Sequence, residues 1–266
     1  MKLKSMLKKT FLIAASLAAL STTAMVQADI LQDIKDRKIL RVAVPQDFPP
    51  FGSVGLNLKP QGIDIDVAQY IADKMSVTLE LIPVTSANRI PYLQTKKADL
   101  VISSLGKNSE REKAIDFSIP YAPFFLGVFG EKGIDVTSVE GLKNKTVGVT
   151  RGAVEDLELE KIVSSSTTIQ RFEDNNTTLS AYLSGQVSLI ATGNLVATEI
   201  SKRQPNRAPE SKFMLKDSPC YIGMMKGEKA LQSEVNGIIS AAFADGTLNS
   251  ISMKWLKAPL PKGFGA

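Results

Sequence analysis

Ala98 to Tyr121 reads ADLVISSLGKNSEREKAIDFSIPY, and the parsing of its first half decides the fold. Leu100-Val101-Ile102 is a short apolar run, which reads as a buried strand stopping at two hydroxyls, Ser103 and Ser104. Leu105-Gly106 follows, and Arg111 comes seven residues after Ser104 in a charged helical segment. A strand that ends in small polar residues leaves N–H groups and hydroxyls at its carboxyl end. An arginine just beyond can close on an anion with two parallel hydrogen bonds. The stretch therefore suits a small carboxylate-bearing ligand held at the end of a sheet.

Outward from this strand the chain alternates. Ile39 to Val44 is an apolar strand ending at Pro45. Ile63 to Met75 carries Ile65, Ala68, Ala72 and Met75 at helical spacing. Leu79 to Pro83 reads as a strand and Arg89 to Lys97 as a short helix. A second unit repeats the pattern, with strands over Thr146–Thr150, Ile169–Phe172 and Val187–Ala191 and helices over Glu155–Val163 and Thr177–Ser184. Thr137 and Glu140 have the spacing of a capping box. Leu231, Val235, Ile238, Ile239 and Ala242 make one apolar helical face, Asp245-Gly246 stops that helix, and Thr247 can cap the last one. The alternation implies two α/β units with mostly parallel sheets. Ligands of such sheets bind outside the carboxyl ends of strands. Three such ends are polar or glycine-rich: Ser103-Ser104, Thr150–Gly152 and Thr192–Asn194. A cleft between two facing units follows.

The chain begins with a basic start at Lys2, Lys4, Lys8 and Lys9, then an apolar run from Phe11 to Leu20. Val26-Gln27-Ala28 fits the small-x-small cleavage rule, so residues 1–28 read as a signal peptide. The alternative is a membrane anchor, but the run is shorter than the ~20 residues a bilayer requires. The leader holds four of the 32 basic residues and none of the 27 acidic ones. The remainder is nearly neutral, which argues against a nucleic-acid partner. No cysteine lies near the cut, so a free periplasmic protein without a lipid anchor is expected. Cys220 is the single cysteine and reads as a small buried residue, with a reactive thiol as the alternative. Histidine is absent, which removes Ser-His and Cys-His nucleophile pairs and histidine metal sites. Carboxylate chemistry stays open, and no cofactor or metal is implied.

Four motifs in order resemble one known family. Gln61-Gly62-Ile63-Asp64-Ile65-Asp66-Val67-Ala68 is similar to its G-F-D-I-D-L-A. Arg89 to Gln94 with Ala98 to Ile102 is similar to L-x-x-G-K-x-D-x-I. Glu110-Arg111 with Ile115 to Tyr121 is similar to E-R-x-x-x-I-x-F-S-x-P-Y. Leu142 to Val149, then Gly152, is similar to L-K-G-K-x-V-G-V-x-x-G. The family is the periplasmic solute-binding proteins of polar amino acid ABC importers. The resemblance implies a two-lobed periplasmic binding protein fold, two doubly wound α/β lobes joined by two hinge strands. It implies a first lobe of residues 29–121 plus 219–266 and a second of 122–218, with Pro120-Tyr121 and Lys216 to Tyr221 as the crossovers.

The resemblance assigns Arg111 to a ligand α-carboxylate. The alternative is a solvated arginine paired with Glu110, Glu112 or Asp116. Ser104 and Gly106 would add hydroxyl and backbone groups, and Ser103 either joins them or only ends the strand. Phe48 matches an aromatic lying over the ligand side chain, with a plain core role as the alternative; Phe51 reads as core. Similar proteins carry Ser or Thr after the glycine that matches Gly152. Here Ala153-Val154 follow, leaving backbone N–H groups at a helix start. Similar proteins place an ammonium-binding Asp after the strand matching Val187–Ala191, whereas this chain has Gly193-Asn194. Either another carboxylate such as Glu155 takes an ammonium, or the ligand lacks one. Glu155 and Asp156 read more simply as first-turn helix acids that need no ligand. Pro45 stands where relatives for cationic amino acids have an acid, which points to a neutral or acidic ligand. Ser86, Asn88 and Arg89 precede a helix and could reach the ligand side chain, and Arg89 could pair an acidic ligand, although an exposed helix-start position is the expectation for Arg89.

Three functions follow. The first is a monomeric transport receptor that closes on an amino acid or carboxylate and docks on the membrane permease of an ABC importer. The second is a periplasmic enzyme on the same scaffold, cyclohexadienyl-dehydratase-like, which needs a general acid in the cleft. The third, a chemoreceptor module, ranks last because no transmembrane segment follows.

Overall fold

The computed structural model describes residues 29–265, so the expected signal peptide lies outside the described residues. The first helix, α1 (Ile30–Arg37), starts where the Asp29 side chain accepts the N–H of Gln32. β1 (Ile39–Val44) follows, buried at Leu40, Val42, Ala43 and Val44. A small antiparallel sheet comes next, made of β2 (Asp47–Phe48), β3 (Gly52–Val54) and β4 (Pro60–Gln61). Then come α2 (Ile63–Met75), β5 (Thr78–Pro83), α3 (Arg89–Gln94), β6 (Leu100–Leu105), α4 (Ser109–Ala114) and β7 (Ile115–Ala122).

The second unit runs through β8 (Phe125–Gly130), β9 (Thr146–Thr150), α5 (Val154–Ile162), β10 (Thr168–Phe172), α6 (Asn175–Leu183), β11 (Leu189–Gly193), α7 (Asn194–Arg203) and β12 (Glu210–Asp217). The chain then returns through β13 (Cys220–Met225), α8 (Lys229–Ala244) and α9 (Thr247–Leu256).

The two large sheets share one plan. Their strand orders are β5-β1-β6-β13-β7 and β10-β9-β11-β8-β12. In each, the first three strands are parallel and the fourth is antiparallel to both neighbours. Parallel neighbours need crossover connections, and the helices supply them. The two-lobed α/β expectation is met, with one reversed strand in each sheet. The chain passes between sheets twice, at residues 123–124 and 218–219. The two passages touch: the N–H of Ser218 donates to the carbonyl of Phe124 at 3.0 Å, and Cys220 pairs with Ala122.

Packing follows the periodicity. α8 buries Leu231, Val235, Ile238, Ile239 and Ala242, the face read from the sequence. Burying each of the larger side chains stabilises the fold by about 1.5–3 kcal/mol. One core joins the lobes through Phe124, whose ring meets Phe51 edge-on at 5.0 Å and Phe48 at 6.2 Å. Cys220 is fully buried. Among the described residues no helix is long and apolar enough to cross a membrane.

Three local expectations are corrected. β6 does not stop at Ile102 but runs to Leu105, because β13 covers its outer edge and pairs Tyr221 with Leu105. The capping box at Thr137 does not form; Glu140 instead accepts the Ser138 hydroxyl at 2.6 Å. Thr247 is the first residue of α9 rather than its cap, and its N–H donates to the Asp245 side chain at 2.9 Å.

Candidate functional site

The ends of β6 and β9 face each other across a narrow space between the lobes. From the first lobe, Phe48, Ser86, Arg89, Ser104 and Gly106 wall it. From the second come Phe124, Leu126, Ala153, Val154, Glu155 and Asn175, with Ser218 at the crossing.

Ser104 sits where the strand bends. Its φ of 40° is left-handed, a conformation that costs a non-glycine residue of order 1 kcal/mol or more. Asp64, fully buried in the first turn of α2, holds it there by accepting the Ser104 N–H at 2.7 Å. The other Asp64 oxygen accepts the Tyr121 hydroxyl at 2.6 Å. Burial nonetheless lifts the Asp64 carboxyl to about 7, against the pull of those two hydrogen bonds. Gly106 has no room for a side chain, since a Cβ there would meet Ser218 Oγ at 2.5 Å and Val154 Cγ2 at 2.9 Å. The buried Ser218 hydroxyl has no hydrogen-bond partner among the described residues.

Arg111 is 4% exposed, and Asn108 caps its helix by accepting the Arg111 N–H at 2.9 Å. Its guanidinium reaches the carbonyl of Gly106 at 2.7 Å and, across the cleft, that of Gly152 at 2.9 Å. It borders a neighbouring groove with Ser86 and Gly152 rather than the central space. The acids nearest in sequence are engaged elsewhere: Glu110 with Lys113, Glu112 with Lys107, and Asp116 with Lys226 and Lys229. Burial first, and the nearby Arg89 second, bring the Arg111 pKa down to about 9.

Arg89 overturns the exposed helix-start expectation. It is 5% exposed and walls the cleft, and its Nε donates to Ser103 Oγ at 3.0 Å. Ser103 is thus a buried support for Arg89 and does not itself reach the space. Among the described residues neither arginine has an ion-pair partner. Burial lowers the Arg89 pKa, while Asp47, Glu155 and Asp64 pull it up from a distance.

The second lobe departs further from the sequence reading. Glu155 is not a solvated first-turn acid; it is 4% exposed and walls the cleft, and burial lifts its pKa to about 7. Asp156 is structural, accepting the Gly152 N–H at 3.0 Å and pairing with Arg171 at 2.8 Å. Gly152 adopts φ 72° and approaches Ala87 of the first lobe. Asn194 lies outside the cleft wall, its side-chain oxygen accepting the Phe125 N–H at 3.2 Å. Phe48 forms part of the wall, 5% exposed, and Phe51 is fully buried behind it. Phe124 and Ser218 sit at the crossings and Asn175 opens α6, positions that no periodicity marks in the sequence.

Arg89 and Glu155 face one closed, partly apolar space from opposite lobes, and Arg111 borders the groove beside it. The arrangement suits a small ligand with at least one carboxylate. Comparison with known proteins gives the same class. The sequence pattern of the bacterial extracellular solute-binding proteins, family 3, matches residues 40–258. The L-cystine-binding protein TcyJ of Escherichia coli K12 is 27% identical over 250 residues, covering 93% of this chain and 94% of that protein. A solved ancestral arginine-binding protein bound to arginine superposes with a TM-score of 0.78 at 33% identity, covering 82% of this chain and 98% of that one. The ancestral amino acid-binding protein AncCDT-1, a precursor of cyclohexadienyl dehydratase, superposes with a TM-score of 0.78 at 29% identity, covering 85% and 99%.

Proposed function

The chain belongs to family 3 of the bacterial extracellular solute-binding proteins, and from that premise we propose that it captures an amino acid with a neutral or acidic side chain in the periplasm and delivers it to an ABC permease. The observation that carries this reading is the pair Arg89 and Arg111, two guanidinium groups buried at the cleft with no ion-pair partner among the described residues. A buried cation without a counter-ion is unfavourable, and a ligand carboxylate relieves it. Arg111 takes the α-carboxylate by exchanging the Gly152 carbonyl for a charged acceptor, which makes a shorter and stronger hydrogen bond. Arg89 walls the central space itself and favours a second anionic group, so the acidic side chain is the better match. Phe48 and Phe124 supply the apolar surface.

The lobes come together on the ligand, and the closed form is what the permease receives. Residues 29–121 with 219–266 form one lobe and 122–218 the other, and residues 1–28 are the export signal. The test is a thermal-shift screen of acidic, neutral and basic amino acids. A specific ligand at 100 times its Kd stabilises by about 2.7 kcal/mol. A response to lysine or arginine alone refutes the charge argument, and no response to any amino acid refutes the receptor reading.

A second reading has one specific support. A buried carboxyl held near 7 suits a general acid, and AncCDT-1 is a precursor of a dehydratase. On that reading Glu155 protonates the leaving hydroxyl of a cyclohexadienyl acid, which departs as water while the ring carboxylate leaves as carbon dioxide and the electron pair of its C–C bond aromatises the ring. Incubation with a cyclohexadienyl acid, followed for the gain of aromatic-ring absorbance, decides between capture and turnover.

A further inference from the structure

We propose that Glu155 is the partner of the ligand's α-ammonium group, so that an amino acid lies across the cleft with its carboxylate toward the first lobe's arginines and its amino group against the first turn of α5. This rests on the amino-acid receptor reading and deepens it by assigning the missing cation contact.

The argument begins with the empty position. An acid at the end of β11 would be the expected ammonium partner, and the residue there is Asn194. Its side-chain oxygen is committed to the Phe125 N–H, and it stands away from the cleft wall. Neutral and engaged elsewhere, it offers an ammonium nothing.

Glu155 supplies what Asn194 lacks. Its carboxylate is almost wholly buried and borders the central space. No lysine or arginine pairs with it among the described residues. A carboxylate shut away from water without a counter-ion is unfavourable unless something cationic enters. The charged groups that act on it are Arg89 from α3, Arg111 from α4 and Asp156 from its own helix. Both arginines stand on the opposite lobe, Arg89 on the wall of the same space and Arg111 on the groove beside it, so the charges are laid out as a dipole between the lobes. A zwitterion matches that layout with both ends satisfied at once.

The position also gives the amino group a mechanical role. The carboxylate end of the ligand is read by the first lobe and the amino end by the second. Only a molecule bearing both groups draws the lobes together electrostatically. A 2-hydroxy acid of the same shape has the first contact and lacks the second.

The test is calorimetric titration of the purified protein and its Glu155→Gln variant with matched pairs: L-glutamate and 2-hydroxyglutarate, L-alanine and lactate, L-leucine and 2-hydroxyisocaproate. The wild type is expected to bind at least one amino acid about thirtyfold or more tightly than its hydroxy partner, the range for an enclosed charge pair. In Glu155→Gln that preference collapses while the hydroxy acid binds as well as before or better. A second readout uses the wild type alone. Lowering the pH from about 8 to about 6 protonates Glu155, so amino-acid affinity falls, by up to about tenfold per pH unit, while hydroxy-acid affinity holds or rises. An undiminished amino preference in Glu155→Gln, or parallel pH profiles for the two ligand types, overturns the proposal and leaves the receptor reading standing. Binding of the hydroxy acids alone overturns both.

Discussion

The carboxylate of Asp47 accepts the backbone N–H of Asn175 at 2.7 Å, so an acid of the first lobe sits on the N-terminus of α6 in the second. A helix start carries partial positive charge, and such a contact contributes about 0.3–1 kcal/mol. Together with the reach of Arg111 to Gly152, it ties the lobes before any ligand contact is counted. Asp47→Ala is expected to shift the ligand-free protein toward an open form by a few-fold. Small-angle scattering would show this as a larger radius of gyration with little change in melting temperature.

The two cleft arginines have separable effects. Arg111→Ala should lower ligand affinity by about 2–5 kcal/mol, and Arg111→Lys should recover little, because an ammonium lacks the planar fork. Arg89→Gln should remove any preference for L-glutamate over L-glutamine while leaving binding of L-glutamine largely intact. Calorimetry on the two variants reads both effects.

Stability should depend on pH through Asp64. Its folded-state pKa of about 7 stands above the ordinary 3.8, so the folded protein keeps a proton that the unfolded chain releases. Folding stability therefore falls as the pH rises from about 4 to about 7, by on the order of a few kcal/mol, and flattens above. Glu155 contributes with the same sign over nearly the same window. Asp64→Asn should be more stable than wild type at pH 8 and show a shallower slope. Urea melts across the pH range test this, and the double variant with Glu155→Gln should be flatter still.

Gly152→Ala tests the close approach of the lobes. The added Cβ must occupy φ 72° and would lie 3.0 Å from Ala87 Cα. The left-handed conformation alone costs about 1–2 kcal/mol. Ligand affinity is expected to drop by more than the loss of stability explains, because the clash exists only when the lobes are shut. Comparing denaturation with titration separates the two.

Asp99 anchors the first lobe away from the cleft. It is 2% exposed, pairs with Arg37 and with Arg41 at 2.9 Å, and accepts the Arg41 N–H at 2.8 Å. Asp99→Ala leaves two arginines facing a vacancy and should cost about 3 kcal/mol. Equilibrium unfolding would register the loss while ligand affinity stays unchanged.

The sequence was most readable where burial is one-sided. α2 and α8 announce themselves because each hides one stripe. β12 was unreadable: it is a sheet-edge strand with two register shifts, so its side chains do not alternate cleanly between inside and outside. β6 was cut short because Ser103 and Ser104 look like surface residues, while a distant strand and Asp64 make their burial possible. Arg89 and Glu155 failed for one shared reason. Each begins a helix with the charge pattern of solvent, and only the approach of the other lobe removes the water. Long-range closure leaves no trace in local spacing.

The pairing of Ala122 with Cys220 has an evolutionary and practical corollary. Neighbouring strands lie about 4.7–4.9 Å apart, so the chain departs from the first sheet and rejoins it almost at the same point. Everything in between is topologically a cassette, spliced into a scaffold whose own ends are already adjacent. A brief linker from position 122 to 220 would bridge the excision without rerouting any strand, and a homologous cassette could be grafted into the gap to recombine half of a binding cleft at a time.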